Sequence, residues 1–160
     1  MKKIGFKKLL LALMLSVLLP TFATADTVAN ECNTGFECVI LGFSYGEGKG
    51  VKQDSFKAVA LYQKACGLNN GDGCTFLGVS YGEGKGVKQD DFKAVEFSQK
   101  ACDLNNGSGC ALLGAIHQDG RGIKQSNIKA LEYYGKACDL KTKAGCEMYA
   151  LLKQKIRAGK

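Results

Sequence analysis

The chain has 160 residues with 22 lysine or arginine, 15 aspartate or glutamate and one histidine, which gives a formal net charge of +7. Four of the lysines fall in the first 25 residues, so residues 26–160 carry 18 basic and 15 acidic side chains. This mildly basic and dispersed charge argues against nucleic-acid binding, which needs a clustered basic face. The 135 residues after position 25 suit a single domain.

Residues 1–25 have the layout of a secretory signal peptide. A lysine-rich start is followed by an apolar run over residues 9–19 and by the small residues Ala-Thr-Ala at 23–25. The apolar run is shorter than the ~20 residues that a membrane-spanning helix needs, and Cys32 lies too late to carry a lipid at the cleavage point. We therefore expect cleavage near Ala25 and a secreted or periplasmic protein without a stable membrane anchor.

A 36-residue repeat fills the rest of the chain, and its first two units are identical at 27 of 36 aligned positions. Such a period indicates a supersecondary unit that stacks on its neighbours. The last unit loses the glycine loop and becomes basic, as a polar cap would; contact with an anionic membrane is the alternative. The predicted segments are a solenoid over residues 26–152, with units 38–73, 74–109, 110–145 and a partial unit 146–160, and a basic capping-helix end at 153–160.

Hydrophobic spacing indicates that each unit is a pair of helices. In the second unit Cys74, Leu77, Gly78 and Tyr81 fall on one face of a helix, and residues 94–101 repeat the same spacing. No stretch alternates convincingly like a strand. We therefore predict an all-α fold, a right-handed αα-solenoid of about three and a half repeats and roughly seven helices.

The stretch YGEGKGVKQD occurs at residues 45–54 and again at 81–90. Its glycines and lysine could hold a phosphate, but a phosphate loop follows a strand and ends in Lys-Ser or Lys-Thr. Here a helix precedes the glycines, so we interpret the stretch as a turn in which glycine adopts positive φ at little cost. Asp54, Asp90 and Ser126 then stand at helix starts, where each can cap backbone N–H groups.

All eight cysteines lie after the predicted signal peptide, and an even number in an oxidising compartment indicates disulfides. Zinc is a weak alternative, because seven residues separate the cysteines in three of the four neighbouring pairs and only one histidine is present. Cys66 is expected to end one helix and Cys74 to open the next, near the ~5.5–6 Å between Cα atoms that a disulfide prefers. Pairing between neighbours is the simplest of the many possible connectivities. The predicted pairs are Cys32–Cys38, Cys66–Cys74, Cys102–Cys110 and Cys138–Cys146.

The pattern LGxxYGEGKGVKQDxxKAxxxYxKAC at residues 41–66 resembles Sel1-like repeats, a branch of the tetratricopeptide-like helical solenoids. With a signal peptide and a cysteine pair per unit, the chain is similar over residues 32 to about 152 to the secreted Helicobacter cysteine-rich protein group. His117 in place of tyrosine and the short gap from Cys32 to Cys38 depart from the pattern. The resemblance implies a binding or adaptor module and, as the alternative, a weak penicillin-binding β-lactamase.

No residue is predicted to be catalytic. Ser126 and Lys129 match the Ser-x-x-Lys motif of serine β-lactamases, but Ser126 aligns with Asp54 and Asp90 of the other units. A position that takes either aspartate or serine is typical of a helix N-cap. His117 aligns with tyrosines, which favours a packing role. No metal site and no cofactor are predicted.

The binding hypothesis rests on the first helix of each unit, because these helices line the concave side of such solenoids. Six small or apolar positions on them vary between units and lie outside the predicted buried face. They could contact a peptide, a protein or a cell-wall or β-lactam-like ligand, or they could pack against neighbouring units. The six positions are Val39, Phe43, Thr75, Val79, Ala111 and Ala115.

Overall fold

The computed structural model describes residues 32–159, so the predicted signal peptide at residues 1–25 lies outside the described part of the chain. The described residues form seven α-helices and no strand, which confirms the predicted all-α class. The helices are α1 (Gly35–Glu47), α2 (Ser55–Gly67), α3 (Gly71–Glu83), α4 (Asp91–Asp103), α5 (Gly107–Asp119), α6 (Asn127–Asp139) and α7 (Lys143–Ala158).

Two kinds of helix alternate along the chain: the A helices α1, α3, α5 and α7, and the B helices α2, α4 and α6. Each B helix packs between the A helix before it and the A helix after it, and consecutive A helices also pack on each other. Within residues 32–159, consecutive B helices do not approach each other as closely, so the A helices form the inner row. This is the predicted αα-solenoid. None of the described helices has the length and apolar character needed to cross a membrane.

The start of every helix from α2 to α6 is fixed by a side-chain cap. Asp54, Asp90 and Ser126 accept hydrogen bonds from the backbone N–H three residues later at 3.0, 3.1 and 3.2 Å, as predicted for the B helices. Asn70 and Asn106 do the same for α3 and α5, at 3.0 and 2.9 Å. These A helices therefore begin three residues before the cysteines that were expected to open them.

The glycine-rich stretches are turns, as predicted. Gly48, Gly84 and Gly120 end the A helices in the left-handed region, with φ of 69°, 71° and 74°. The turns from B to A helices also have a left-handed residue, since Asn69 and Asn105 both have a φ of 56°. Gly50, Gly86 and Gly122 also have positive φ, so each unit has three left-handed positions. They lie in two turns that reverse the chain twice every 36 residues.

Glycines on the A helices allow close contact with aromatic rings of the B helices. A Cβ atom at Gly42 would lie 2.6 Å from the Tyr62 ring, and one at Gly114 would lie 2.7 Å from the Tyr134 ring. In the middle unit Gly78 faces Ser98, and a Cβ atom at Gly78 would lie 2.9 Å from the Ser98 hydroxyl oxygen. The predicted small-residue face of the A helices is therefore the face that receives the B helix.

Four disulfides are present among the described residues, and three of them join a B helix to the next A helix. The Cα atoms of the paired cysteines are 4.4 to 5.0 Å apart. Gly73 makes this approach possible at the first junction, because a Cβ there would lie 2.5 Å from the Ala65 side chain. The pairs are Cys32–Cys38, Cys66–Cys74, Cys102–Cys110 and Cys138–Cys146.

Candidate functional site

A cavity of about 180 Å³ opens where α1, α2 and α3 meet. Its apolar wall combines Phe43 from α1, Tyr62 from α2, and Phe76 and Val79 from α3. The helical side chains that line the cavity come from two consecutive A helices and the B helix between them. It is therefore a product of the junction between units rather than of one unit.

The aromatic side chains of this wall are packed against one another. The rings of Tyr62 and Phe76 are stacked, with centroids 4.9 Å apart and planes at 18°, and the Phe43 ring is tilted against Phe76 at 6.4 Å. The Lys49 ammonium lies 4.8 Å from the centroid of the Phe43 ring. Burial, aided by the nearby charge of Glu47, raises the pKa of Tyr62 to about 12. The Tyr62 phenol is therefore neutral and serves as wall rather than as an acid or base.

The rim of the cavity is charged. Glu47 and Glu83 are exposed acidic residues at the ends of α1 and α3, and Lys85 follows in the turn after α3. Two acidic groups and Lys85 surround an apolar floor, and Lys49 adds a second basic group beside Phe43. An apolar group would match the floor, and a positive charge beside it would match the Glu47 and Glu83 side of the rim.

The equivalent junction between the second and third units is bridged by an ion pair. Arg121 donates hydrogen bonds to Asp91, at 2.6 Å, and to the Gly82 carbonyl, and the remaining cavity measures about 80 Å³. At the first junction the residues 36 positions earlier are Lys85 and Ser55. Serine carries no charge to pair with the lysine, and the first cavity is the larger of the two.

Two of the six predicted groove positions line the larger cavity. Phe43 and Val79 contribute to its wall, and Val79 also lines the smaller cavity. Val39 is buried, with 8% of its surface exposed. Tyr62 and Phe76 were missed by sequence reasoning, although Phe76 aligns with Ile40 and Leu112 and so belongs to a position that varies between units.

The other three groove positions take part in packing between helices. The Thr75 hydroxyl lies 2.9 Å from the Gly71 carbonyl oxygen and 3.0 Å from Oδ1 of Asn106, which ties α3 to the start of α5. Ala111 packs on the core around the Cys102–Cys110 disulfide. Ala115 packs on the core below α7.

The two residues weighed as catalytic both have structural contacts. Ser126 caps α6 through the N–H of Lys129, so the Ser-x-x-Lys match gives no support to the β-lactamase that the resemblance implied. His117 is buried, and its ring stacks on Tyr133 at 5.2 Å with planes at 9°. Burial first, and the charge of Lys129 second, lower the pKa of His117, while Glu132 opposes the shift.

Solved structures that resemble this chain share the helical-repeat architecture. A protective antigen present in uropathogenic Escherichia coli strains, which displays an SLR fold, is 33% identical with a TM-score of 0.63, and the match covers 66% of this chain and 22% of the antigen. A Sel1 repeat protein from Oxalobacter formigenes is 24% identical, with a TM-score of 0.63 and coverage of 84% and 50%. This chain thus spans half or less of those two proteins.

Cysteine rich protein B of Helicobacter pylori is matched over most of its own length. It is 34% identical, with a TM-score of 0.61, and the match covers 71% of this chain and 88% of that protein. No curated protein matches this chain. The Sel1 repeat model matches three consecutive segments, residues 38–70, 71–106 and 107–141. The chain belongs to the Sel1 repeat family.

Proposed function

We propose that this protein is an extracytoplasmic binding module that holds a peptide segment of a partner protein at the cavity between α1, α2 and α3. The single observation that carries the proposal is the open, apolar cavity of about 180 Å³ at the first junction. The equivalent cavity beside the Arg121–Asp91 pair is only about 80 Å³. Proteins of the Sel1 repeat family commonly bind proteins or peptides, which supports this reading.

The size of the cavity favours a side chain over a complete small molecule. Small-molecule sites generally enclose ~300–1,000 Å³, and this cavity is smaller. An aromatic or large aliphatic side chain would contact Phe43, Phe76 and Val79. A basic residue next to it in the peptide would lie near Glu47 and Glu83. We therefore propose a ligand motif that places an apolar residue beside a lysine or arginine.

Two observations support a location outside the cytoplasm. The first is the signal-peptide layout of residues 1–25. The second is the set of four disulfides, since disulfides persist in oxidising compartments. N-terminal sequencing of the protein recovered from periplasm and culture medium tests this part of the proposal. Recovery only from the cytoplasm, with residue 1 retained, would contradict it.

The cavity can be narrowed by introducing the ion pair of the second junction at the equivalent positions of the first junction. A Ser55→Asp/Lys85→Arg variant reproduces the residues that occupy Asp91 and Arg121 one unit later. Peptides are selected from a displayed random library on the oxidised wild-type protein, and their affinities are measured by fluorescence polarisation. We expect the double variant to weaken the selected peptides by about tenfold or more, which is ~1.4 kcal/mol.

The matched control is the reverse exchange, Asp91→Ser/Arg121→Lys, which alters the second junction and leaves the first unchanged. We expect this control to keep the wild-type affinity. Selected peptides should be enriched in an apolar residue next to a basic one. Peptides that bind the Ser55→Asp/Lys85→Arg variant as tightly as wild type would show that the cavity is not the binding site.

A further inference from the structure

Three large apolar side chains stand exposed at the same position of successive units. Phe56, Phe92 and Ile128 are each the second residue of a B helix, and 77%, 77% and 81% of their surfaces are exposed. A single exposed apolar residue is ordinary in a folded protein. Three of them at 36-residue intervals form a row that makes no contribution to the core.

The row lies on a continuous edge of the solenoid. A Cβ at Gly86 would collide with the Ser55 carbonyl, and one at Gly122 would lie 2.7 Å from the Asp91 carbonyl oxygen. The glycine turns of the second and third units thus touch the first residue of the preceding B helix, directly beside Phe56 and Phe92. We call this surface the loop edge and define it as residues 49–57, 85–93 and 121–129.

The loop edge concentrates the positive charge of the protein. It holds nine lysine or arginine residues and three aspartates, a net charge of +6, whereas the remaining residues of 32–159 hold eight basic and ten acidic residues. Lys52, Lys88 and Lys124 are exposed at equivalent positions of the three turns. Lys93 lies over the Tyr81 ring at 4.9 Å, a contact that leaves its charge in place. Charge that is dispersed in the sequence is therefore gathered on one edge by the fold, so the protein has a clustered basic face that was not expected from the sequence.

We propose that the loop edge docks reversibly on an anionic lipid surface. Basic side chains are attracted to anionic headgroups, and apolar side chains between them can enter the boundary between headgroups and acyl chains. The three apolar side chains project outward from separate units, so a flat and deformable surface can meet all of them at once. A protein partner would need three apolar pockets at the spacing of the repeat.

Vesicle binding tests the proposal on the oxidised protein, residues 26–160. The probes are vesicles of phosphatidylcholine mixed with phosphatidylglycerol and vesicles of phosphatidylcholine alone, with binding measured by flotation. We expect binding to the mixed vesicles only, weakened by added salt. Two triple variants should each lose at least about tenfold in affinity for the mixed vesicles. They are Phe56→Ser/Phe92→Ser/Ile128→Ser and Lys52→Glu/Lys88→Glu/Lys124→Glu.

Matched controls change the same residue types elsewhere on the surface. Phe36→Ser/Leu151→Ser removes two other exposed apolar side chains, and Lys64→Glu/Lys141→Glu/Lys155→Glu reverses three exposed lysines outside the loop edge. Both controls should keep wild-type binding to the mixed vesicles. Equal losses in controls and loop-edge variants, or no binding of wild type to mixed vesicles, overturn the proposal.

Insertion can be followed directly because the sequence contains no tryptophan. A Phe92→Trp variant should shift its emission to shorter wavelength on mixed vesicles, while a Phe36→Trp variant should not. An unshifted Phe92→Trp spectrum in vesicle-bound protein contradicts apolar insertion. Binding of wild type to polyglutamate through the same residues, without vesicle binding, would assign the loop edge to an acidic protein instead.

Discussion

His117 is the residue at which the third unit departs most clearly from the other two. It replaces Tyr45 and Tyr81 and keeps their buried position at the end of an A helix. Its Nδ1 atom is buried without a hydrogen-bond partner, and its neighbour Lys129 is basic. The ring packs well on Tyr133, but the imidazole carries a polar atom that this site does not satisfy.

Replacing this histidine should change how stability depends on pH. The pKa of His117 in the folded protein lies below its ordinary 6.5, so the unfolded chain binds the proton first as the pH falls. The free energy of unfolding should therefore decrease as the pH drops below about 6.5. His117→Tyr should remove this decrease. It should also raise the free energy of unfolding at neutral pH by ~1 kcal/mol, because the buried nitrogen without a hydrogen-bond partner is then absent.

Urea unfolding of the oxidised protein at pH 7.5 and pH 5.0 measures both effects. The interval lies above the ordinary pKa of 4.5 for Glu37, whose pKa is lowered by the N–H groups of Asn33 and Thr34. Ionised Glu37 therefore stabilises the folded protein throughout this interval, and that stabilisation is lost only at lower pH. An identical pH slope in wild type and His117→Tyr would rule out His117 as its source.

Two glycines of the third unit form a matched pair with opposite expected effects. A Cβ at Gly114 would lie 2.7 Å from the Tyr134 ring, whereas one at Gly135 has its nearest neighbour, Tyr149, at 3.6 Å. Gly114→Ala should cost ~1–3 kcal/mol through overpacking. Gly135→Ala should stabilise by ~0.5–1 kcal/mol, because alanine favours the helix. Denaturant midpoints that move in the same direction for both variants would contradict this account.

At the scale of helices, the sequence predicted the B helices better than the A helices. Asp54, Asp90 and Ser126 are recognisable caps because each follows a glycine turn and directly precedes the apolar spacing of a B helix. Asn70 is preceded by Asn69, and the two take different roles: Asn69 is left-handed and Asn70 caps α3. Sequence alone does not distinguish two adjacent asparagines, so the start of the A helix was placed too late.

The disulfides act at the same scale, since each constrains a short junction. Removing the central bridge by Cys102→Ala/Cys110→Ala should lower the free energy of unfolding by ~2–3 kcal/mol, the chain-entropy value for so short a loop. Thermal unfolding without reductant measures the loss. Fragment mapping without reduction should recover only links between neighbouring cysteines. A free thiol or a link between distant helices in the wild-type protein would contradict the structure.

At the scale of the whole molecule, two features depend on how units meet. The cavity was not predictable, because its size depends on which side chains of three helices meet. For example, the next junction has the paired Asp91 and Arg121 where the first has Ser55 and Lys85. That difference affects the cavity only because the fold brings together residues that are 30 positions apart in the sequence. The gathering of charge on the loop edge was hidden for a similar reason: a charge repeated every 36 residues looks dispersed until the units stack.

The last A helix packs on the core of the third unit, and two adjacent leucines test how much that packing contributes. Leu152 is 3% exposed and packs with Ala130 and Tyr134, while Leu151 is 59% exposed. Leu152→Ala should cost ~2–4 kcal/mol, and Leu151→Ala should stay within ~0.5 kcal/mol. Equal midpoints for the two variants in chemical denaturation would show that α7 does not cover the core.

The position of the bridges also decides what a protease can release. Each disulfide between helices spans a turn from a B helix to the next A helix. Within residues 32–159, no disulfide spans a glycine turn from an A helix to a B helix. A nick within residues 69–70 would leave both pieces tethered, whereas a nick within residues 48–53 would divide the polypeptide into two covalently separate pieces. The glycine turns are therefore the points at which a single cleavage by a protease would separate the chain into two pieces.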